Sequence, residues 1–436
     1  MRSPLFTFLL LAAGAAAAAP LDLPSAIRRA LVHSPVLRAG NSAVEAARDE
    51  AAAARAAHLP TLELGARAVR TSEPAGAFAL RLDEGRLGAA DFDPARLNTP
   101  AAVGGIGLSA LLNLPLYSGG RARDGERAAR VLAQAEEQSQ ERRKQQIAFA
   151  VVRSWFGIRA AAQATLHAQE AVQAARETEG FVRERVAQGL LLEADALRAT
   201  AFRAEAEARL AQVRGLLGST RAALEMLIGE EVDADAISAG ATENDPLSSI
   251  SEGNAAPDRP DLRAASLRSG AAQAQASAAS GALLPEVFLQ ASAQTLRSGF
   301  DQGTTWTALV LGARWELSLG AVHTATAARA RAAAAASSPQ AESDEARREA
   351  QEARFTLDAA IARTAAAREA VAASESARRL RKARYLQGLL PLTDLLDAEL
   401  ALSNSQALLV QSLLETRLAR ASLQLARGQA IEGVQP

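Results

Sequence analysis

Two hydrophobic periods alternate along the chain, and the alternation runs through twice. Apolar residues fall at every second position in four short segments: Leu62, Leu64, Ala66 and Ala68; the even positions from Ile106 to Leu116; Val287, Leu289, Ala291 and Ala293; and Leu309, Leu311, Ala313, Trp315 and Leu317. Thr61, Glu63, Gly65 and Arg67 fill the gaps of the first, Gly107, Ser109 and Asn113 those of the second. Glu286, Gln290, Ser292 and Gln294 do so in the third, and Gly312, Arg314 and Glu316 in the fourth. Period two with one polar face predicts strands at 61–72, 105–117, 286–297 and 305–317. Each is long enough to cross a bilayer at a tilt.

Between the strand pairs the spacing becomes helical. Opening helices are expected at about 24–57 and 260–282, stopped by Pro60 and Pro285. Long helices follow at 121–187 and 321–386, each roughly 100 Å at 1.5 Å per residue. Returning helices run at 193–228 and 392–427, after turns centred on Gly189 and Gly388, and Gly229 and Gly428 close them. Leu396, Leu400, Ser403, Ala407, Val410 and Leu414 step by four and three, as do Ile147, Val151, Ser154, Ile158, Ala162 and Thr165. Such stripes predict helix-on-helix seams, in an ordinary coiled coil or in a broad sheet of helices.

The chain is therefore written twice. Ala187-Gln188-Gly189-Leu190-Leu191, with Asp195 and Leu197 behind it, is answered by Leu386-Gln387-Gly388-Leu389-Leu390, with Asp394 and Leu396. The halves are 19–245 and 246–436, joined by a Gly-, Pro-, Ser- and acid-rich connection at 229–260. Ahead of them, Arg2, the apolar stretch 5–13 and the alanines at 15–19 predict a signal peptide over 1–18. No later segment reaches about 18 uninterrupted apolar residues, so a membrane span has to be a β-barrel. Four strands cannot close one, so more than one copy is required.

Composition removes other classes. The 436 residues are 49% apolar but only 4% aromatic, which suits long Ala- and Leu-rich helices better than a compact enzyme. A net charge of −1 argues against nucleic acid as a partner. The absence of cysteine excludes thiol chemistry and disulfides, and the four histidines lie too far apart for a metal motif. No set of residues forms a catalytic, cofactor or metal constellation.

The duplicated helix–strand–strand–helix–helix plan resembles the TolC-like outer membrane efflux proteins. So do Leu114-Pro115-Leu116-Tyr117-Ser118-Gly119-Gly120-Arg121 at a strand-to-helix switch, and Tyr385-Leu386-Gln387-Gly388 leading into Thr393-Asp394-Leu395-Leu396-Asp397-Ala398. The resemblance covers nearly the whole mature chain. It implies a mainly α protein with a transmembrane β-barrel: a homotrimer with a 12-stranded barrel in outer-membrane lipid and a long periplasmic α-barrel. It further implies docking to a periplasmic adaptor and an inner-membrane pump, as the exit duct of efflux or type I secretion, without chemistry or cofactor. The competing reading is a periplasmic coiled-coil scaffold or adaptor with no membrane span.

The resemblance also carries site residues. Gln188, Gly189, Leu190, Leu191 and Gln387, Gly388, Leu389, Leu390 become adaptor-docking tips; plain left-handed helix caps are the alternative. Tyr385, Asp394, Asp397 and Asp195 become the periplasmic aperture, although Asp195 and Asp394 also suit helix caps. Leu390 stands where the family's aperture has an arginine. The run Arg378, Arg379, Arg381, Lys382 and Arg384 reads as a solvated face. The stretch from Thr71 to Gly104 reads as a long loop at the barrel mouth, against a short one at Ser298–Thr304.

Overall fold

The computed structural model describes residues 21–233, 237, 259–298 and 303–429. The expected signal peptide and most of the 229–260 connection lie outside the described residues, as does the middle of the 298–304 loop. Two compact units are present. One comprises Gly40–Gln140 and Asp261–Ser343; the other takes the chain up to Ala39, Glu141–Pro260, and everything from Asp344 onward. No described helix is long and apolar enough to cross a membrane.

The first unit holds the sheet. β1 (Thr61–Thr71), β2 (Val103–Tyr117), β3 (Glu286–Arg297) and β4 (Gly303–Arg314) pair antiparallel in that order, so β1 and β4 are open edges. Directly paired residues share a face. One row runs Leu62–Leu112–Ala291–Leu309 and the next Leu64–Ala110–Ala293–Thr307, with Leu114–Leu289–Leu311 on the same side. Leu62, Leu64, Leu309 and Leu311 are well exposed. The opposite face carries Glu63–Leu111–Ser292–Ala308, Gly65–Ser109–Gln294–Trp306 and Arg67–Gly107–Leu296–Thr304. Trp306 therefore sits on the polar face. Trp315 lies beyond the end of β4 and donates its indole N–H to the Leu283 carbonyl at 3.1 Å. Pro115, which cannot donate to the ladder, stands at the bulge where the β2–β3 register slips.

Behind β2 the chain turns through Gly119 and Gly120, both with positive φ, into a helix. A Cβ on Gly119 would lie 2.2 Å from the Gly281 carbonyl oxygen, so the close approach of these two segments requires glycine. Glu286 at the start of β3 accepts from both Arg121 and Arg314, tying that helix to the sheet.

The expected opening helix is two: α1 (Leu23–His33) and α2 (Pro35–Ala56). The break follows from Pro35, which pushes Ser34 into extended backbone (ψ 118°). The expected loop 71–104 also contains structure. α3 (Pro74–Asp83), a 3₁₀ turn (Ala89–Phe92) and α4 (Pro94–Asn98) fill it, with both α-helices opened by proline at the first position.

The second unit is built on α5 (Arg121–Ala187), α6 (Glu193–Ile228), α8 (Leu319–Leu386) and α9 (Leu392–Ala426); α7 (Pro260–Gly281) belongs to the first unit, and α5 and α8 contribute to both. One core joins Leu23, Ile27 and Ala30 of α1 to Val151, Val152, Trp155 and Phe156 of α5 and Leu224 and Ile228 of α6. The expected α9 stripe keeps Leu396 and Val410 buried and Leu400, Ser403 and Leu414 half-buried, while Ala407 is exposed. The buried line is Leu395, Ala398, Leu402, Ser405, Ser412, Thr416, Ala419, Leu423 and Ala426, stepping by three and four with Leu409 half-buried in the gap. Ser405, Ser412 and Thr416 enter it because each hydroxyl donates to a carbonyl of its own helix, and Thr416 also meets Thr364 at 2.9 Å. Small hydroxylated residues let two helices approach closely, and they hide the stripe from a count of leucines.

The two hairpin tips

Both long helices end in the same way. Gly189 has φ +72°, the Gly189 N–H donates to the Val186 carbonyl at 2.9 Å, and the Leu190 N–H to the Arg185 carbonyl at 2.9 Å. Gly388 has φ +74°, with Gly388 to Tyr385 at 2.9 Å and Leu389 to Arg384 at 3.0 Å. This is the Schellman arrangement, and the positive φ calls for glycine at both turns. The cap is real, but its usual hydrophobic contact is missing. Leu190 and Leu389 are 62% and 68% exposed, and Leu192 is more so. Gln188 and Gln387 are exposed beside them, while Leu191 and Leu390 are half-buried.

Behind the turns the two hairpins share one small core. Val182 and Ala199 from the first meet Tyr385, Leu392, Leu395 and Leu396 from the second, with Phe181, Val186, Leu191 and Phe202 packed around them. The Tyr385 ring is buried, yet its hydroxyl has no hydrogen-bond partner among the described residues. Burial pushes the phenol's pKa up, the Asp195 carboxylate adds to this, and the Arg185 guanidinium opposes it. Arg185 also lies 4.8 Å from the Phe181 ring centroid. The cation acting on Tyr385 is thus Arg185 of the first hairpin, while position 390 carries a leucine.

Asp195 and Asp394 occupy the third position of α6 and α9. The residues before those helices, Leu192 and Pro391, make no side-chain cap hydrogen bond. Both aspartates complement a helix dipole without capping it. Asp397 lies one turn along α9 and is exposed, and among the described residues neither Asp394 nor Asp397 forms an ion pair through its carboxylate. The Asp394 carbonyl accepts from Arg381 at 3.2 Å. That gives one member of the basic run a partner; Arg378 meets Glu399 at 3.4 Å.

A polar cluster near the tips is not apparent from residue spacing. Glu179 of α5 accepts from Thr200 (2.7 Å) and Arg203 (2.7 Å) of α6 and pairs with Arg183 (2.8 Å). Arg203 and Arg176 then share Glu207 at 2.7 and 2.8 Å. The available signal was an acid in an apolar stripe: Glu179 lies in line with Val172, Ala175 and Val182. Its counterpart ten residues before the second turn is Arg378, which has only the long contact to Glu399 and a buried Nε without a partner. A polar cleft of about 410 Å³ opens there between α5, α8 and α9. The Glu179 cluster thus staples the first hairpin, while the second is joined by the Arg363–Glu415 pair at 2.7 Å and the Thr364–Thr416 contact, both farther from its turn. Among the described residues no group of His, Asp and Glu could hold a metal ion.

A family model for outer membrane efflux proteins matches residues 26–230 and 253–429, both halves of the duplicated plan. The chain belongs to the outer membrane efflux protein family. The fold agrees with solved channels. VceC of Vibrio cholerae is 23% identical, with 94% of this chain and 97% of that one covered at a TM-score of 0.78. A membrane protein of Pseudomonas aeruginosa is 21% identical, with 95% and 91% covered at 0.82. The open-state MtrE outer membrane channel of Neisseria gonorrhoeae is 22% identical, with 94% and 89% covered at 0.78. No curated protein matches the chain. This efflux protein thus has the TolC-like fold and an outer-membrane location.

Proposed function

We propose that this efflux protein is the exit duct of a tripartite efflux pump or type I secretion system, a homotrimer that docks on a periplasmic adaptor coupled to an inner-membrane pump. It performs no chemistry; the pump supplies energy and makes the main choice of cargo. The observation that carries the reading is the sheet. Four antiparallel strands expose leucines on one face, polar residues on the other, and two open edges. Three copies joined β4 to β1 make 12 strands with lipid outside and a polar lumen inside. In this reading residues 1–18 are the signal peptide, 19–245 and 246–436 are the repeats, and 61–72, 105–117, 286–297 and 305–317 make the barrel.

The tips are assigned to adaptor docking through Gln188, Gly189, Leu190, Leu191 and Gln387, Gly388, Leu389, Leu390. Exposed leucines on a glycine-fixed turn need a covering partner more than an isolated protein does. Tyr385, Asp394, Asp397 and Asp195 are assigned to the aperture. Fractionation tests the location: heat-modifiable trimers in the outer membrane are expected, and release by osmotic shock would instead favour a periplasmic scaffold. Leu190→Glu and Leu389→Glu test the docking. Each is expected to leave the trimer intact and abolish efflux; normal efflux in both would remove the tips from the interface.

A further inference from the structure

The segment between β1 and β2 covers one face of the sheet, and the register says which. Leu296 and Thr304 lie in the row Arg67–Gly107–Leu296–Thr304, on the polar face. Leu296 is nevertheless only 1% exposed. A Cβ on Gly105, in the next place along that face, would meet Glu84 Oε1 at 2.7 Å and Leu296 Cδ1 at 3.5 Å. Thr304 donates its hydroxyl to the Asp83 carbonyl, and a Cβ on Gly85 would meet Thr304 Cγ2 at 2.8 Å. Asp83, Glu84 and Gly85 are therefore seated on the polar wall, at the end of the sheet where Thr71 pairs with Val103. Glycine at 105 leaves the room that Glu84 occupies, and glycine at 107 the room for Arg67 and Leu296.

The covering piece is built. Ala77, Leu80 and Glu84 are buried along α3. Phe78 and Phe92 meet edge to face with centroids 5.8 Å apart, Arg81 pairs with Asp91, and Asp93 caps α4 through the Ala95 N–H. A loop folding outward over the apolar face would leave Leu296 and Gly105 bare.

We infer that this segment is a luminal cap: three copies project from the polar wall into the duct at its outer end and set the width through which cargo leaves. The inference rests on the barrel reading above, because the polar face becomes a lumen only when the barrel closes. The cap offers Leu82 (56% exposed), Phe92 (61% exposed) and the exposed Arg86 to whatever passes. The exit therefore discriminates by size and by apolar contact, independently of the pump.

The chain has no cysteine, so one introduced thiol is unique. Leu82→Cys and Phe92→Cys trimers would be treated in planar bilayers with a charged, membrane-impermeant methanethiosulfonate, modification being verified by mass. Current is expected to fall by about two-fold or more at both, and to stay unchanged for Leu311→Cys on the apolar face. Replacing 74–100 with a short Gly-Ser turn should raise current and admit larger sugars. Unchanged current after complete modification of both thiols overturns the cap, as does an unchanged exit in a heat-stable replacement trimer. If the replacement fails to assemble, the thiol arm decides. A wild-type protein that forms no channel counts against the barrel reading itself.

Discussion

Phe181 and Tyr385 meet edge to face, ring centroids 5.8 Å apart and planes at 65°, and so join the last turns of the two long helices. The contact makes the two tips one packed object. It also explains how the Tyr385 hydroxyl comes to be buried without a partner: the ring is placed by packing on Phe181, Val182 and Leu396, and nothing among the described residues answers the oxygen. An unsatisfied buried hydroxyl costs stability.

Tyr385→Phe and Tyr385→Ala separate the ring from the oxygen. The phenylalanine variant keeps the edge-to-face contact and removes the unpaired group, so tip stability should be unchanged or slightly raised. The alanine variant loses a buried ring and should cost about 3 kcal/mol. Hydrogen exchange at the ends of α5 and α8 reads both. A phenylalanine variant as damaged as the alanine one would mean that the hydroxyl bonds to a neighbouring protomer.

The staple around Glu179 predicts a pH dependence. The Thr200 hydroxyl, then Arg203 and Arg183, hold its carboxyl below the ordinary glutamate range, outweighing the opposing effect of burial. Glu207 is lowered in the same way by Arg176 and Arg203. A depressed folded pKa contributes stability above the unfolded value, about 4.3, and that contribution disappears as pH falls through the folded value. Amides of the α5–α6 hairpin should therefore exchange faster once the pH drops below about 4. Glu179→Gln should show the faster exchange already at neutral pH, and the α8–α9 hairpin should change less in both cases. Equal acid loosening of the two hairpins would remove the staple as its cause.

Much of this architecture could be read from residue spacing, for physical reasons that differ by element. The strands declare themselves because membrane-type sheets need one mainly apolar face, which Leu62, Leu108, Leu289 and Leu311 mark out with only threonines interspersed. Gly189 and Gly388 are legible because only a positive φ closes the Schellman turn. The α9 seam is legible only in part: Leu396 and Val410 are buried as the stripe predicts, but Ser405, Ser412 and Thr416 satisfy their hydroxyls internally and pack like small apolar residues outside it. The α1–α2 break was signalled by Pro35 but masked by continuous helical spacing on either side. The Glu179 cluster and the Arg185–Phe181–Tyr385 group stayed hidden, since a pairing between helices depends on which faces meet. A sequence offers the acid in the stripe and not its partners.

The register sharpens a prediction for the apolar face. Leu108, Leu112, Leu289 and Leu311 lie in rows of one side, and Ser109 and Ser292 in rows of the other. Arginine at any of the four leucines near mid-membrane should cost about 2–4 kcal/mol of barrel stability, whereas arginine at either serine should be tolerated. The loss of heat-resistant trimer on gels, titrated with urea, measures it. Equal losses from the two sets would mean that the lipid and lumen faces have been exchanged.

The last prediction concerns the aperture assigned to the second tip. Asp394 and Asp397 are three residues apart on α9, turned away from the line of Leu392, Leu395 and Leu396 that packs inward. Neither carboxylate is neutralised by an ion pair among the described residues, although Arg378, Arg379 and Arg381 are close in sequence. In a three-fold assembly they become two stacked rings of three acids. Rings of carboxylates in a narrow mouth concentrate cations and favour their passage. The trimer should be cation-selective in planar bilayers and should be blocked from the periplasmic side by di- or trivalent cations. Replacing both aspartates with asparagine should relieve the block and weaken selectivity without altering assembly, while Asp394→Glu should keep both. The Asp195→Asn variant is a useful contrast, because that side chain acts on Tyr385 within the shared tip core. It should disturb tip packing more than ion selectivity. Unchanged block and selectivity in the double asparagine variant would reduce Asp394 and Asp397 to dipole-complementing residues of the first turns of α9, and the constriction would then have to lie on other residues of the duct.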